Sequence, residues 1–396
     1  AAFYARKGVS SILIDIDEKK VQTINNGEPP YPDMANWLGF NIKPYSKLIK
    51  ATTDWDKVVP GPVYFICVNT EKNGAPWDEA LRDVCYKIGS MYGDPLVIIE
   101  STLAPGWTDS IVKKYISKIA VAPRRDWFTL PGMTVENLAR VVGATDKDTL
   151  DEAMSILNIV SRKIFVASNH RVAEMTKPIE NAYRHVGIAL SYELTQAFPD
   201  TDMREVLKLC STKWNMDEYF PSIGMGGYCI PIAPAYILDK TKKQMKILDS
   251  SLETDWNMPK IIAKQMSKRN IESICILGIA YKGDLKIHIS SPALRLAKTL
   301  LRSGFKVGIH DPLYSEEEIK KLTSAKPIIY PNGMKDYQCI VVACDHSSYK
   351  VASKNTLLSI NPKLIIDCLG IWSRFREALK EKGIEYHLTG DEGWLI

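Results

Sequence analysis

The 396 residues contain no Cys-x-x-Cys pair and no cysteine beside a histidine cluster, so neither a zinc site nor a disulfide framework is indicated. The eight cysteines stand singly at 67, 85, 210, 229, 275, 339, 344 and 368, several inside apolar runs, which reads as reduced thiols in a cytoplasmic protein. No apolar run approaches the roughly 18 residues of a membrane span, and no charged-then-apolar segment opens the sequence. Long basic runs are missing too. Lys plus Arg number 51 against 46 for Asp plus Glu, and the net charge of +5 is dispersed, which excludes nucleic acid as the expected partner and is compatible with a small anionic ligand. There is no low-complexity segment and no short-period repeat. A chain this long is expected to form two or three domains.

The last absence is the most informative. Ser10 to Asp15 is a short apolar run ending in an acid, preceded by Ala1 to Gly8, which reads as the tail of a helix closed by a glycine cap. That is the second half of a βαβ unit, yet no Gly-x-Gly-x-x-Gly loop precedes it. Because the sequence opens on Ala-Ala without a methionine, a strand and a glycine loop are expected ahead of Ala1. In a dinucleotide-binding unit the acid ending the second strand bonds the ribose hydroxyls, which nominates Asp15; a strand that merely ends in Asp is the alternative. Val63 to Val68 and Leu96 to Ile99 read as buried parallel strands, followed by Asn69-Thr70 and Glu100-Ser101-Thr102. Ligands of open α/β sheets sit beyond such strand ends. Thr70 and Thr102 are therefore candidate cofactor contacts, or else helix N-caps. Ile119 to Pro123 and Leu138 to Gly143 give two further strands.

From Arg171 to Phe198 the pattern is helical. Glu174, Lys177, Asn181 and Arg184 recur at steps of three and four, forming a polar stripe that is either a solvated face or a site. Met203 to Cys210 is a second helix, and a third is expected from about Met258 to Lys268, with Pro259 in its first turn. Between the last two lies Pro221 to Leu238, where Gly224, Gly226 and Gly227 run into Cys229 and Pro231. Glycines let a backbone approach a ligand closely. Cys229 is thus either a reactive thiol at the mouth of a loop or one more small buried hydrophobe. A second α/β pattern follows: strands Ile274 to Leu277, Lys306 to His310, Cys339 to Ala343 and Leu364 to Asp367, with a helix from Ser291 to Ser303 started by Pro292. The expected fold is α/β, with two doubly wound Rossmann-like domains, 1–165 and 269–396, flanking a helical middle domain, 166–268.

The constellation resembles the UDP-glucose/GDP-mannose dehydrogenase family of nucleotide-sugar dehydrogenases over nearly the whole chain. The resemblance rests on Asp15-Ile16-Asp17 with Lys20, on Glu100-Ser101-Thr102 with Pro105-Gly106, and on Glu174 through Lys177 and Asn181 to Arg184. It continues in Gly224-Met225-Gly226-Gly227-Tyr228-Cys229-Ile230-Pro231, in Leu277-Gly278 through Lys282 followed by Ser291-Pro292-Ala293-Leu294, and in Asp311-Pro312. The wording after Cys229, with Pro234 and Tyr236, is similar to the branch acting on UDP-N-acetylhexosamines such as UDP-N-acetylmannosamine. The resemblance implies oxidation of a sugar C6 alcohol to a carboxylate with two NAD in succession. It implies Cys229 as nucleophile, Lys177 and Asn181 as donors to the developing oxyanion, Asp15, Lys20, Thr70 and Thr102 on the cofactor side, and Gly226 and Lys282 on the nucleotide-sugar side. It also implies a homodimer built on the middle helices.

Three residues depart from the family pattern. Arg124 stands where a glutamate follows the strand proline, with Asp126 close by; Ala233 stands where an aspartate follows the cysteine by four; Ile289, beside His288, stands where an arginine precedes Ser-Pro-Ala-Leu. Two readings follow: a working dehydrogenase, or a catalytically impaired relative that binds nucleotide sugar or dinucleotide. A β-hydroxy-acid dehydrogenase is a third, and its chemistry has no use for a loop cysteine.

Overall fold

A computed structural model describes residues 1–31, 34–58, 61–91, 93–126 and 130–395. The chain forms two compact units, residues 1–180 with 235–240, and residues 181–234 with 241–396.

The first unit opens with the short helix Ala2–Arg6, after which Gly8 takes φ +83°, the left-handed turn expected of a glycine at a helix end. Strand β1 (Ser11–Ile14) follows and pairs in parallel with β2 (Ile49–Thr52), which the apolar pattern had not marked. A separate five-stranded sheet comprises β3 (Val63–Ile66), β4 (Leu96–Ile99), β5 (Ile119–Val121), β6 (Arg140–Ala144) and β7 (Ile164–Val166), in that order. All four residues of β4 are buried, as a parallel strand covered on both faces requires. The sheet is mixed, not wholly parallel, because β6 runs antiparallel to β5, with Ala120 opposite Ala144. Its core gathers Leu96, Ile98, Ala120, Val142, Ala153 and Leu157.

The second unit carries an all-parallel six-stranded sheet. Its strands are β8 (Ser273–Leu277), β9 (Lys306–His310), β10 (Lys326–Pro327), β11 (Cys339–Val342), β12 (Leu364–Asp367) and β13 (Glu385–Leu388), arranged in the spatial order β10-β9-β8-β11-β12-β13. The chain therefore reverses direction across the sheet between β8 and β11. A ligand crevice is expected outside the carboxyl ends of strands at such a switch point. The helix Pro292–Arg302 starts on Pro292, with the Ser291 hydroxyl accepting the Leu294 N–H at 3.2 Å.

Between the two sheets in sequence lie the helices His170–Ala197, Met203–Cys210, Ala233–Lys240 and Lys246–Lys268. The last corrects an expectation: it begins at Lys246, about three turns before Met258, and Pro259 lies inside it. A proline in a helix interior removes one N–H donor. Here Leu248, Ser251, Asp255, Met258, Pro259, Ile262 and Met266 form one buried stripe at steps of one to four, and that burial holds the helix through the proline.

Candidate active site

The expected site residues divide between the units, with Asp15, Lys20, Thr70, Thr102 and Lys177 in the first and Asn181, Gly226, Cys229 and Lys282 in the second.

In the first unit, Asp15 follows β1 with its backbone N–H on the Thr52 carbonyl at 3.3 Å. Its Oδ1 accepts the Asp17 N–H at 3.0 Å, and the Lys20 Nζ stands 3.8 Å from its Oδ2. The carboxylate is braced from one side and is 38% exposed on the other, so it retains acceptor capacity for a ligand hydroxyl. Asp17 has a different job, capping the helix Glu18–Asn25 through the N–H groups of Lys19 and Lys20.

Thr70 and Thr102 are joined directly. The Thr70 hydroxyl donates to the Thr102 carbonyl at 2.6 Å and lies 2.8 Å from the Tyr236 hydroxyl. Neither threonine caps a helix; Thr70 ties the ends of β3 and β4 together. Beside them Glu100 is buried against Arg140 and Arg124. Burial alone would raise its carboxyl, but the two guanidinium groups outweigh it and hold the group down at about 2. Arg124 also grips Asp126 through two bonds, Nε–Oδ1 at 2.5 Å and Nη2–Oδ2 at 2.6 Å. The Asp126 carboxylate, close to the substituted position, is therefore already paired with a guanidinium.

The polar stripe on His170–Ala197 is not a solvated face. Glu174 is 2% exposed and Asn181 5%, Lys177 is half-buried, and only Arg184 is exposed. Glu174 accepts the Thr108 N–H at 2.9 Å and, more tightly, the Thr108 hydroxyl and the Gly106 N–H. Those donors start the short turn Trp107–Ser110, where Gly106 has φ +87°. Burial raises the Glu174 carboxyl despite the three donors. Glu174 is thus a fastener for the Ser101–Gly106 loop, a role the stripe alone did not reveal. Lys177 and Asn181 stand four residues apart in the helix His170–Ala197.

In the second unit the glycine run is pressed into place. A Cβ on Gly226 would sit 2.9 Å from the Pro292 Cδ and 3.0 Å from the Tyr281 Cβ, and Gly227 has φ +90° with the Tyr281 ring 3.1 Å from the same virtual position. The Gly227 N–H donates to the Ile289 carbonyl at 3.0 Å, so the position lacking the expected arginine contributes its backbone. Cys229 follows in a turn, half-buried, its carbonyl accepting the Ala233 N–H at 3.2 Å at the start of Ala233–Lys240. Burial and the neighbouring Cys229 and Tyr228 push the Tyr281 phenol up to about 12. It is therefore a neutral hydroxyl group at ordinary pH. Ala233, which stands where the carboxylate is expected, is 2% exposed.

Lys282 lies at the β8–β11 switch point, five residues past the strand end Leu277. The approach is tight: a Cβ on Gly278 would meet the Cys344 Cβ at 2.2 Å, and one on Gly283 would meet the Asp345 carbonyl oxygen at 2.5 Å. Asp311 holds this corner by accepting the N–H groups of Ile279 and Ala280 at 2.8 and 3.1 Å, with the His346 Nε2 at 3.1 Å. No sequence signal beyond Asp311-Pro312 marked His346. Among the described residues no group of His, Cys, Asp and Glu could hold a metal ion, and no helix is long and apolar enough to cross a membrane.

Comparison with known proteins agrees along the chain. Residues 1–160 match the NAD binding domain of the UDP-glucose/GDP-mannose dehydrogenase family, residues 171–256 its central domain and residues 275–374 its UDP binding domain. The UDP-N-acetyl-D-mannosamine dehydrogenase of Methanocaldococcus jannaschii is 30% identical over 99% of this chain and 93% of its own length. The enzyme of that name from Pyrococcus horikoshii is 26% identical over 93% of this chain and 91% of its own. The solved UDP-D-ManNAc dehydrogenase structure from P. horikoshii superposes with a TM-score of 0.81 at 25% identity, covering 99% of this chain and 96% of that one. The UDP-N-acetyl-mannosamine dehydrogenase of S. aureus shares the fold, with a TM-score of 0.78 at 21% identity over 100% of this chain and 96% of that one.

Proposed function

Because the chain belongs to the UDP-glucose/GDP-mannose dehydrogenase family, we propose that it oxidises the C6 alcohol of a UDP-sugar to the uronate, with Cys229 as nucleophile and a UDP-N-acetylhexosamine such as UDP-N-acetylmannosamine as substrate. NAD is the cofactor of its N-terminal domain and, when bound, accepts a hydride in each of the two oxidations. Asp15 would hold the ribose hydroxyls, with Lys20, Thr70 and Thr102 on the same side. The observation that carries the reading is the glycine run stacked on Tyr281 and Pro292, which ends in a half-buried and not a fully buried thiol.

In this reading the Cys229 thiolate adds to the C6 aldehyde, forming a C–S bond as the carbonyl oxygen becomes an oxyanion that Lys177 and Asn181 stabilise. Loss of hydride from that adduct leaves a thioester, and water cleaves the C–S bond to give carboxylate and thiol. Gly226 and Lys282 would lie along the nucleotide sugar. Residues 1–165, 166–268 and 269–396 would serve as cofactor, central and nucleotide-sugar domains. The central helices, which expose Tyr183, Leu190 and Leu209, would form the face of a homodimer.

Incubating the full chain with NAD and UDP-N-acetylmannosamine tests this: NADH and uronate should form in a ratio of about two to one, as two successive oxidations require. A second reading, an impaired relative that binds without turnover, is favoured by the pairing of Asp126 with Arg124 and by the buried Ala233. Bound nucleotide sugar without any NADH would select it.

A further inference from the structure

The glycine run ahead of Cys229 is held by a charge pair that no motif marks. Asp255, 2% exposed on the helix Lys246–Lys268, accepts the Met225 N–H on Oδ1 at 2.7 Å. Arg295, on the helix Pro292–Arg302, donates from Nη1 to the Asp255 Oδ2 at 2.8 Å and from Nη2 to the Met225 carbonyl at 3.0 Å. Both backbone polar groups of Met225 are thereby taken up by one ion pair. The Trp256 ring lies 4.8 Å from the guanidinium carbon and covers it.

The geometry leaves little slack. Gly224 has φ +137°, a conformation that L side chains rarely adopt, and a Cβ there would meet the Arg295 Nη2 at 2.6 Å, so glycine leaves room for the guanidinium beside the loop. Two residues past Met225, the Gly227 N–H is fixed by the Ile289 carbonyl, and Cys229 follows after Tyr228. The loop is thus pinned at Met225 and at Gly227, and the thiol is delivered from the second pin. Arg295 also neutralises a carboxylate that is costly to bury unpaired.

We propose that Asp255 and Arg295 are positioning residues for Cys229, acting through the Met225 backbone to set where the thiol stands. The inference rests on the reading of Cys229 as the nucleophile. Removing the guanidinium frees the Met225 carbonyl and leaves Asp255 without its counter-charge. The loop then gains freedom, the thiol becomes easier for a small reagent to reach, and productive attack becomes rarer.

The experiment compares full-length wild type, Arg295→Met and Arg295→Lys by two measurements. One is the rate of iodoacetamide alkylation at Cys229, followed by peptide mass spectrometry, with the buried Cys275 and Cys339 as internal controls for general loosening. The other is kcat and KM for NAD-dependent oxidation of UDP-N-acetylmannosamine. Arg295→Met should alkylate Cys229 about fivefold faster or more while Cys275 and Cys339 stay unlabelled, and kcat should fall about tenfold with KM within about threefold. Arg295→Lys, which keeps the charge and part of the donor set, should lie between. If Arg295→Met does not fold, Arg295→Lys decides by the same two measurements. A folded variant with unchanged Cys229 alkylation and unchanged kcat overturns the proposal, as does labelling of all three cysteines in parallel. If wild type shows no NADH but Arg295→Met still speeds alkylation at Cys229 alone, the positioning stands and the catalytic reading falls.

Discussion

The Glu174 carboxylate accepts the Thr108 N–H across 66 residues of sequence at 2.9 Å, and with it the Thr108 hydroxyl and the Gly106 N–H. One side chain of the long helix thus satisfies three donors at the start of the turn that follows Thr102. Glu174→Ala leaves the two Thr108 donors unsatisfied in the interior, while Gly106 lies at the exposed edge of the turn. A cost of about 2–4 kcal/mol is expected, measured by chemical denaturation, together with a several-fold rise in KM for NAD as the Ser101–Gly106 loop loosens. Unchanged stability would show that water replaces the carboxylate.

Lys177 makes a different prediction from the same helix. It is half-buried and, among the described residues, enters no salt bridge, so its ammonium has not been spent on holding the fold. Lys177→Ala should lower kcat on the order of 100-fold, the usual cost of one oxyanion donor, with KM for the UDP-sugar nearly unchanged. A kcat within about threefold of wild type would assign Lys177 to the surface.

How much of this was legible in the sequence depends on how far apart the partners lie. The strands around Leu96–Ile99 and Cys339–Val342 showed themselves as apolar runs because they are covered on both faces. The glycine run ahead of Cys229 was visible as three glycines in four residues, two of which, Gly224 and Gly227, take positive φ. The same spacing rule grouped Glu174 with Lys177 and Asn181 but gave no hint that Glu174 serves Gly106 and Thr108. Asp255 and Arg295 carry no signal in the sequence, since an acid and a base 40 positions apart on two helices look like ordinary surface charges until the helices pack. Pro259 misled for a local reason: its usual place is a first turn, and tertiary burial overrode that preference. The roles of the site residues came from the family resemblance, which no periodicity would have supplied.

Asp15 bears on the choice of dinucleotide. With Oδ1 on the Asp17 N–H and one side exposed, its carboxylate suits a ribose diol and repels a 2′-phosphate. NAD should bind more tightly than NADP, and Asp15→Asn should narrow the gap by relieving the repulsion. Calorimetric titration of both dinucleotides against wild type and variant measures it, and tighter NADP binding to wild type would remove Asp15 from this role.

Burial lowers the pKa values of four histidines, His185, His288, His310 and His387, from an ordinary value of 6.5. For His185 the reason is visible. The Ser251 hydroxyl donates to the Leu248 carbonyl at 2.8 Å, so it accepts from the His185 Nδ1–H at 3.2 Å, leaving Nε2 unprotonated and without a partner among the described residues. A base with a depressed folded-state pKa binds fewer protons folded than unfolded between the two pKa values, so stability falls as pH drops through that window and is regained as pH rises above 6.5. Melting temperature should decline from about pH 7.5 to about pH 5.5, and His185→Gln should flatten that slope. An unchanged slope in the variant would mean that protonated His185 finds a partner in the folded state.

The last prediction joins the half-buried thiol to the residue four positions after it. Cys229 and Ala233 are linked by the 3.2 Å bond from the Ala233 N–H to the Cys229 carbonyl, so the two stand on one turn, the thiol half-buried and the alanine 2% exposed. In the proposed sequence the second oxidation starts from the thiolate adduct, with NAD taking the hydride, whereas cleavage of the thioester needs water and a base to take its proton. No carboxylate stands at 233, and Asp126 is held in two bonds by Arg124. Hydrolysis is therefore expected to be the slow step: mixing enzyme, NAD and UDP-N-acetylmannosamine should give a burst of NADH followed by slow turnover, with acyl-enzyme on Cys229 visible by intact-protein mass spectrometry. Ala233→Asp should shorten the lifetime of that adduct, and because position 233 is buried it should also cost stability, about 1–3 kcal/mol for a polar group left without a full set of partners. Steady turnover without adduct would mean that another group activates the water, and an adduct whose lifetime Ala233→Asp leaves unchanged would clear Ala233 of the defect.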